Sequence, residues 1–75
     1  MKKYNNINPR YYKQGKIEVI DFILDQKLGY LESNIVKYIS RYKQKNGLED
    51  LEKAEWYLKK LIKKRKREET LNKDN

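Results

Sequence analysis

Apolar positions recur at three- and four-residue steps in three separate stretches of the chain, and this spacing predicts three helices. The first stretch contains Ile17, Ile20, Leu24 and Leu28. Gly29 follows it, where a left-handed residue is expected to end the helix. Other sides of this stretch are also apolar, which indicates a helix buried between two neighbours.

The second and third stretches each have one apolar stripe. The second stripe is made of Leu31, Ile35, Tyr38, Ile39 and Tyr42. Asn46-Gly47 is expected to end that helix. The third helix is expected to start near Leu48, with carboxylates in its first turn that complement the helix dipole. Its stripe is made of Leu51, Ala54, Leu58, Leu61 and Ile62.

The two ends of the chain lack this periodicity. Residues 1–16 include Pro9, which disfavours a helix at the preceding residue, and we interpret them as an irregular arm. Residues 63–75 are mostly charged, and we expect them to extend the last helix and fray. The pattern therefore predicts an all-α protein with an N-terminal arm (1–16), a three-helix domain (17–62) and a basic C-terminal tail (63–75).

The chain is short for a self-sufficient core. It has 75 residues, of which 37% are hydrophobic, and it contains no cysteine. A core of this size is expected to supply only about 3–5 kcal/mol, and small natural domains usually add a disulfide, a metal or association with other copies. We therefore expect the three-helix units to assemble into a homo-oligomeric helical bundle.

Composition excludes several chemistries. Without histidine or cysteine the chain has no Ser-His-Asp triad, no cysteine nucleophile and no ordinary zinc centre. No apolar run is long enough to span a membrane or to form a signal-peptide core, so we expect a cytoplasmic protein without membrane contact. The net charge of +8 favours partners that carry phosphate.

Two groups of residues are candidates for phosphate or nucleobase binding. Asn34, Lys37 and Arg41 share one helical face beside Tyr38, where an amide, an ammonium and a guanidinium can grip a phosphate. The alternative is a solvated polar face. The arm supplies the second group, in which tyrosines can stack on a base and cations can meet its phosphate. Its members are Asn8, Arg10, Tyr11, Tyr12 and Lys13. The alternative is that these tyrosines only hold the arm against the bundle.

Carboxylates and a lone tryptophan give weaker signals. Glu18, Asp21 and Asp25 lie in a row that can hold Mg²⁺ or supply a general base, or can be an ordinary polar face. Trp56 is expected on the polar side of the third helix, which together with Tyr57 suggests a subunit interface. Residues 59–67 hold seven cations in nine positions, a pattern that allows weak contact with nucleic acid.

Three strings occur in a familiar order: NPRYYKQGKIEVIDFI, SNIVKYISRYKQK and EDLEKAEWYL. They resemble the small, mostly phage-encoded domain family that includes the nucleotide kinase of short-tailed coliphages. Tyr11 stands where that family usually has histidine, and Ser33 where it usually has glycine. The resemblance therefore implies nucleotide binding more firmly than catalysis, and it marks both the arm and the Asn34 face.

These observations lead to one hypothesis and two alternatives. The leading hypothesis is a phage-type oligomeric protein in the bacterial host cell that captures a phosphorylated signalling or metabolic nucleotide, as a sponge that counters host defence, without a cofactor. The first alternative is a Mg²⁺-dependent nucleoside monophosphate kinase or kinase subunit, with Glu18 or Asp21 as base or metal ligand. The second is a non-specific nucleic-acid-binding regulatory protein.

Overall fold

Three helices make up the computed structural model of the protein, which describes residues 15–73, with side chains described for residues 15–71. They are α1 (Val19–Gln26), α2 (Tyr30–Arg41) and α3 (Leu48–Lys73). The part of the chain that the structure describes contains no strand. The predicted all-α class with three helices is therefore confirmed.

The junction between α1 and α2 differs from the prediction. Gly29 was expected to be the left-handed residue, but its φ is −77° and it precedes α2 as an extended residue. Lys27 takes the left-handed conformation instead, with φ 56°. The reason is that α1 closes early: the Leu28 backbone N–H donates to the Ile23 carbonyl at 3.1 Å, and the Lys27 N–H donates to Leu24 at 3.2 Å. These two bonds satisfy carbonyls at the helix end.

Three of the four residues of the predicted first stripe are exposed in the described part of the chain. Ile17, Ile20 and Leu24 are 68%, 53% and 65% exposed. Val19 and Ile23, which lie on the other side of α1, are partly buried, and so is Leu28, the fourth residue of the stripe, which follows the helix. Because α1 is apolar on most sides, its periodicity alone does not show which side meets α2. The structure shows that α1 packs on α2 by one side and that no described residue buries its other apolar side.

The end of α2 also comes earlier than predicted. The helix stops at Arg41, and residues 42–47 form turns before α3 begins. The Asn46 backbone N–H donates to the Asp50 carboxylate at 3.2 Å rather than to a helix carbonyl. The Gly47 N–H donates to the Tyr42 carbonyl at 2.8 Å, and Gly47 has φ 54°. Gly47 is thus a turn residue, as predicted, because its backbone takes a left-handed conformation that glycine adopts without steric cost.

Gly47→Ala is expected to lower the free energy of unfolding by about 1 kcal/mol, because a left-handed conformation disfavours a Cβ. The added Cβ itself would meet no atom within 4 Å, so the cost comes from the backbone alone. Gly15→Ala is the matched control, since its Cβ also meets nothing and no positive φ is involved. Thermal melts followed by circular dichroism measure both, and equal effects of the two substitutions would contradict this reading of Gly47.

Helix α3 starts at Leu48, as predicted, and is the longest element. It packs against α2, where Asp50 contacts Arg41 and Tyr57 contacts Tyr38. Beyond Ile62 it continues as helix to Lys73, with exposed pairs such as Lys64 with Glu68 at 2.8 Å. Exposed pairs of this i,i+4 type add only a few tenths of a kcal/mol each.

The core between α2 and α3 is small. Ala54, 4% exposed, is the only buried apolar residue in the described part of the chain. Ile39 of the predicted α2 stripe is 49% exposed, and Leu58 and Ile62 of the α3 stripe are 44% and 46% exposed. None of the described helices is both long enough and apolar enough to cross a membrane.

Candidate functional site

A buried ion pair joins the end of α2 to the start of α3. Arg41 donates to Asp50 through Nε at 3.2 Å and through Nη2 at 3.1 Å. The Asn46 side-chain amide adds a longer bond to the same carboxylate at 3.4 Å. The Asp50 side chain is fully buried, and that of Arg41 is 13% exposed. The turn that connects the two helices is therefore built around one carboxylate.

The environment of Asp50 keeps it ionised. Burial by itself raises the pKa of this carboxyl, but the hydrogen bonds from Arg41 and Asn46 and the charge of Arg41 act in the opposite direction and outweigh it, so the pKa lies below its usual value. An ionised carboxylate is an acceptor only, and this one accepts from both Arg41 and Asn46. Asp50 is thus an anion that holds the turn between α2 and α3 together.

The predicted phosphate group of Asn34, Lys37 and Arg41 lies on α2, but two of its members have structural partners. Asn34 is buried, and its amide donates to the Tyr30 carbonyl at 2.9 Å. Arg41 is paired with Asp50 as described. Lys37 is partly buried and forms no ion pair with another described residue. Lys37 is therefore the member of this group that has an ammonium available for an anion.

Aromatic rings of α2 and α3 contact one another. Tyr38 stacks on Tyr57 with ring centroids 5.9 Å apart and planes at 19°. Tyr30 and Trp56 meet Tyr57 edge-on, at 6.2 and 5.0 Å. A hydrogen bond with Tyr30, together with desolvation, raises the pKa of Tyr57. Tyr57, predicted as an interface residue, thus packs within its own chain, whereas Trp56 remains 56% exposed.

Tyr38 is surrounded by cations. Lys37 Nζ lies 4.9 Å, Arg41 Cζ 4.8 Å and Lys53 Nζ 5.6 Å from its ring centroid. Lys53 also pairs with Glu49 at 3.6 Å, but the two side chains are 42% and 66% exposed, so solvent weakens this pair and an anionic ligand can replace Glu49. Two ammonium groups, those of Lys37 and Lys53, are therefore held near one phenol ring.

An open depression of about 480 Å³ lies beside these rings. Its lining combines aromatic rings with one cation and two carboxylates: Tyr38, Glu49, Glu52, Lys53, Trp56 and Tyr57. Its volume is within the range of small-molecule sites. Rings can pack against a nucleobase, and carboxylates can accept hydrogen bonds from exocyclic amino groups.

The carboxylates of α1 and its N-terminal flank do not form a comparable site. Among the described residues, no group of three or more acidic side chains is placed so that it could hold a metal ion. Glu18 occupies the position before α1 without capping it by its side chain, and Asp21 and Asp25 are exposed. The arm candidates Asn8, Arg10, Tyr11, Tyr12 and Lys13 lie outside the described residues.

A family model described as a protein of unknown function, DUF3310, matches residues 7–59. The chain belongs to the DUF3310 family. The match covers more than two thirds of the 75 residues, and it includes the Arg41–Asp50 pair, the tyrosine cluster and the depression. The basic residues that follow Lys59 lie beyond the DUF3310 match. No curated protein and no solved structure matches the chain.

Sequence reasoning missed five residues of this site, since Glu49 and Glu52, which line the depression, were given no site role and three others were missed as well. Asp50 was interpreted only as a carboxylate that complements the helix dipole, Asn46 only as a helix stop, and Lys53 was given no site role. A signal for the first two existed: an arginine in the last turn of one helix and an aspartate in the first turn of the next, joined by a short Asn-Gly turn, favour a pair across the turn. No comparable signal placed Lys53 over Tyr38, since that contact depends on how α2 and α3 pack.

Proposed function

We propose that this protein is a homo-oligomeric, phage-type nucleotide-binding protein that captures a phosphorylated signalling or metabolic nucleotide and retains it unchanged, as a sponge that counters host defence. The observation that supports it best is Tyr38, which lines the depression and has Lys37 and Lys53 close to its ring. The resemblance of the sequence to a family with a phage nucleotide kinase supports the same ligand class.

The base and the phosphate of the nucleotide use different parts of this site. The base packs against Trp56 and Tyr57, with Glu49 and Glu52 as acceptors for its amino groups. The phosphate lies at the Lys37 and Lys53 ammonium groups, where charge-assisted hydrogen bonds are strong. Arg41 positions Tyr38 and the interhelical turn and does not bind the phosphate, because Asp50 occupies its guanidinium.

The N-terminal arm completes the site in this proposal. Arg10 and Lys13 add positive charge for the phosphate, Tyr11 and Tyr12 supply further rings for the base, and Asn8 supplies an amide. Capture requires only these cations, rings and hydrogen-bonding groups. Turnover requires in addition a second nucleotide, Mg²⁺ and a base, so capture is the simpler use of the residues described.

A second copy of the chain covers the open side of α1. Ile17, Ile20 and Leu24 form one apolar face that none of the described residues buries. Burial of such a face is worth about 25 cal/mol for each Å² removed from water. The small core between α2 and α3 adds to the argument, because association supplies the apolar burial that a single chain lacks.

Incubation with a panel of nucleoside mono-, di- and triphosphates and cyclic nucleotides, followed by chromatography of what the protein releases, tests capture. We expect one nucleotide class to be retained and released with its mass unchanged. Recovery of a diphosphate from a monophosphate and ATP would establish the kinase alternative instead, and retention of nothing would refute the proposed ligand class.

Lys37→Gln is expected to weaken nucleotide binding about tenfold or more, because it removes a charge-assisted contact worth about 1.5–3 kcal/mol. Lys43→Gln is the matched control, since it removes the same charge from an exposed position in the turn after α2. Isothermal titration calorimetry with the retained nucleotide measures both. If the two variants bind equally well, Lys37 has no place in the site.

A further inference from the structure

Helix α3 carries a stripe of cations that begins at the exposed tryptophan. Trp56, Lys60, Lys63 and Arg67 lie within about 60° of one another on a helix with 3.6 residues per turn. They extend over about 16 Å of the helix axis. All four side chains are exposed, and Lys60 Nζ lies 5.3 Å from the centroid of the Trp56 ring. We call this set the α3 stripe.

Ion pairing separates the stripe from the other charges of α3. Lys64 pairs with Glu68 at 2.8 Å and Arg65 with Glu69 at 2.9 Å, and both carboxylates point away from the stripe by helical position. Lys60, Lys63 and Arg67 form no ion pair within the part of the chain that the structure describes. Of the described α3 cations without an ion pair, Lys60, Lys63 and Arg67 therefore share the face of Trp56, and only Lys66 lies off it.

Acidic residues limit the stripe at one end. Glu52, which lies one turn before Trp56, shares its face, and Glu49 lies a turn earlier, paired with Lys53. The N-terminal end of α3 therefore repels a polyanion on this face, and the segment from Trp56 to Arg67 attracts it. This arrangement fits a linear anion that has an aromatic ring of its own to place against Trp56.

We infer that the α3 stripe binds single-stranded nucleic acid without sequence preference, with one base stacked on Trp56 and about three successive phosphates at Lys60, Lys63 and Arg67. A positively charged track combined with an aromatic platform is the usual means of binding single strands. A membrane surface or an acidic protein would match the charge but would have no base for Trp56. The three cations lie beyond the DUF3310 match, so the inference does not follow from family membership.

The inferred surface and the proposed nucleotide site share only Trp56. The proposed site depends on Lys37 and Lys53 near Tyr38, whereas the stripe depends on cations at least one turn beyond Trp56. Lys37→Gln is therefore expected to weaken nucleotide binding and to leave single-strand binding unchanged, and the two ideas can fail separately.

Fluorescence titration tests the inference, because Trp56 is the only tryptophan of the chain. The probes are unlabelled oligo-dT and oligo-U of twelve nucleotides. A DNA duplex of the same length and polyglutamate of matched charge are the comparisons. We expect both single strands to quench Trp56. With about three phosphates neutralised, affinity is expected to fall about 20-fold between 50 and 200 mM salt.

Two double variants of equal charge decide the result. Lys60→Gln with Lys63→Gln leaves about one phosphate contact, so the same salt change is expected to weaken binding only about threefold. Lys64→Gln with Arg65→Gln, which removes the paired cations, is expected to keep the 20-fold dependence. Trp56→Phe is expected to retain binding measured by fluorescence anisotropy of a labelled strand. The absence of quenching, equal salt dependence in the two double variants, or equally tight binding of polyglutamate would each overturn the inference.

Discussion

Asp50→Ala is expected to destabilise the protein by about 3 kcal/mol or more, because it leaves the largely buried Arg41 guanidinium without its partner. A domain of this size has only about 3–5 kcal/mol from its own core, so the variant is expected to be largely unfolded. The loss also removes the acceptor that holds Asn46 in the turn before α3. Circular dichroism melts measure the effect.

Asp25→Ala is the control for Asp50→Ala, since it removes an exposed carboxylate from α1. Its expected effect is within about 0.5 kcal/mol. Arg41→Ala should resemble Asp50→Ala, because it leaves the fully buried Asp50 carboxylate unpaired. If Arg41→Ala folds as stably as the wild-type protein, the pair does not have the structural role assigned to it.

The pH dependence of stability follows from the lowered pKa of Asp50. A carboxyl whose pKa is lower in the folded than in the unfolded protein contributes stability that is fully present above its unfolded value, about 3.9, and that is lost as the pH falls through the folded value. The difference in the free energy of unfolding between wild type and Asp50→Asn is therefore expected to shrink below about pH 4. A difference that stays constant down to pH 2 would contradict it.

Leu24→Glu is expected to dissociate the oligomer, because it places a charge in the apolar face that Ile20 and Leu24 of α1 form with Ile17 of its N-terminal flank. Light scattering is expected to give a multiple of 9.2 kDa for the wild-type protein and about 9.2 kDa for the variant. Gln26→Glu adds the same charge at the exposed end of α1, away from this face, and is expected to leave the mass unchanged.

Two outcomes would contradict an oligomer formed through α1. A wild-type protein that has the mass of one chain and melts cooperatively does not need a second copy, and the open face of α1 would then have no partner among copies of this chain. A Leu24→Glu variant that keeps the wild-type oligomer mass would move the interface elsewhere, with Trp56 as the next candidate.

The helices were predictable where one face is apolar and where turn residues are distinctive. The stripe around Ala54 and the Leu48 start of α3 follow from spacing and from acidic residues in the first turn. The faces of α1 were not predictable, because apolar residues on most of its sides leave the packed side undetermined. The left-handed conformation of Lys27 was not predictable either. The hydrogen bonds that close α1 determine which residue is left-handed, and the position of Gly29 in the sequence does not.

The candidate site shows the same division. Helical spacing correctly placed Lys37 and Arg41 on one helix, but spacing carries no information on partners from another helix. Asp50 pairs with Arg41 only because α3 starts next to the end of α2, and Lys53 reaches Tyr38 for the same reason. The charge of a side chain can be deduced from sequence, whereas its availability to a ligand depends on tertiary packing.

Native mass spectrometry of the protein, purified from nucleotide-rich cells under non-denaturing conditions, tests the central claim most directly because it reports subunit number and bound ligand together. The account predicts a mass that is a multiple of the 9.2 kDa chain plus the mass of a nucleotide, and the same nucleotide should appear unchanged after denaturation. A bare 9.2 kDa chain that acquires no mass after incubation with the nucleotide panel would contradict it.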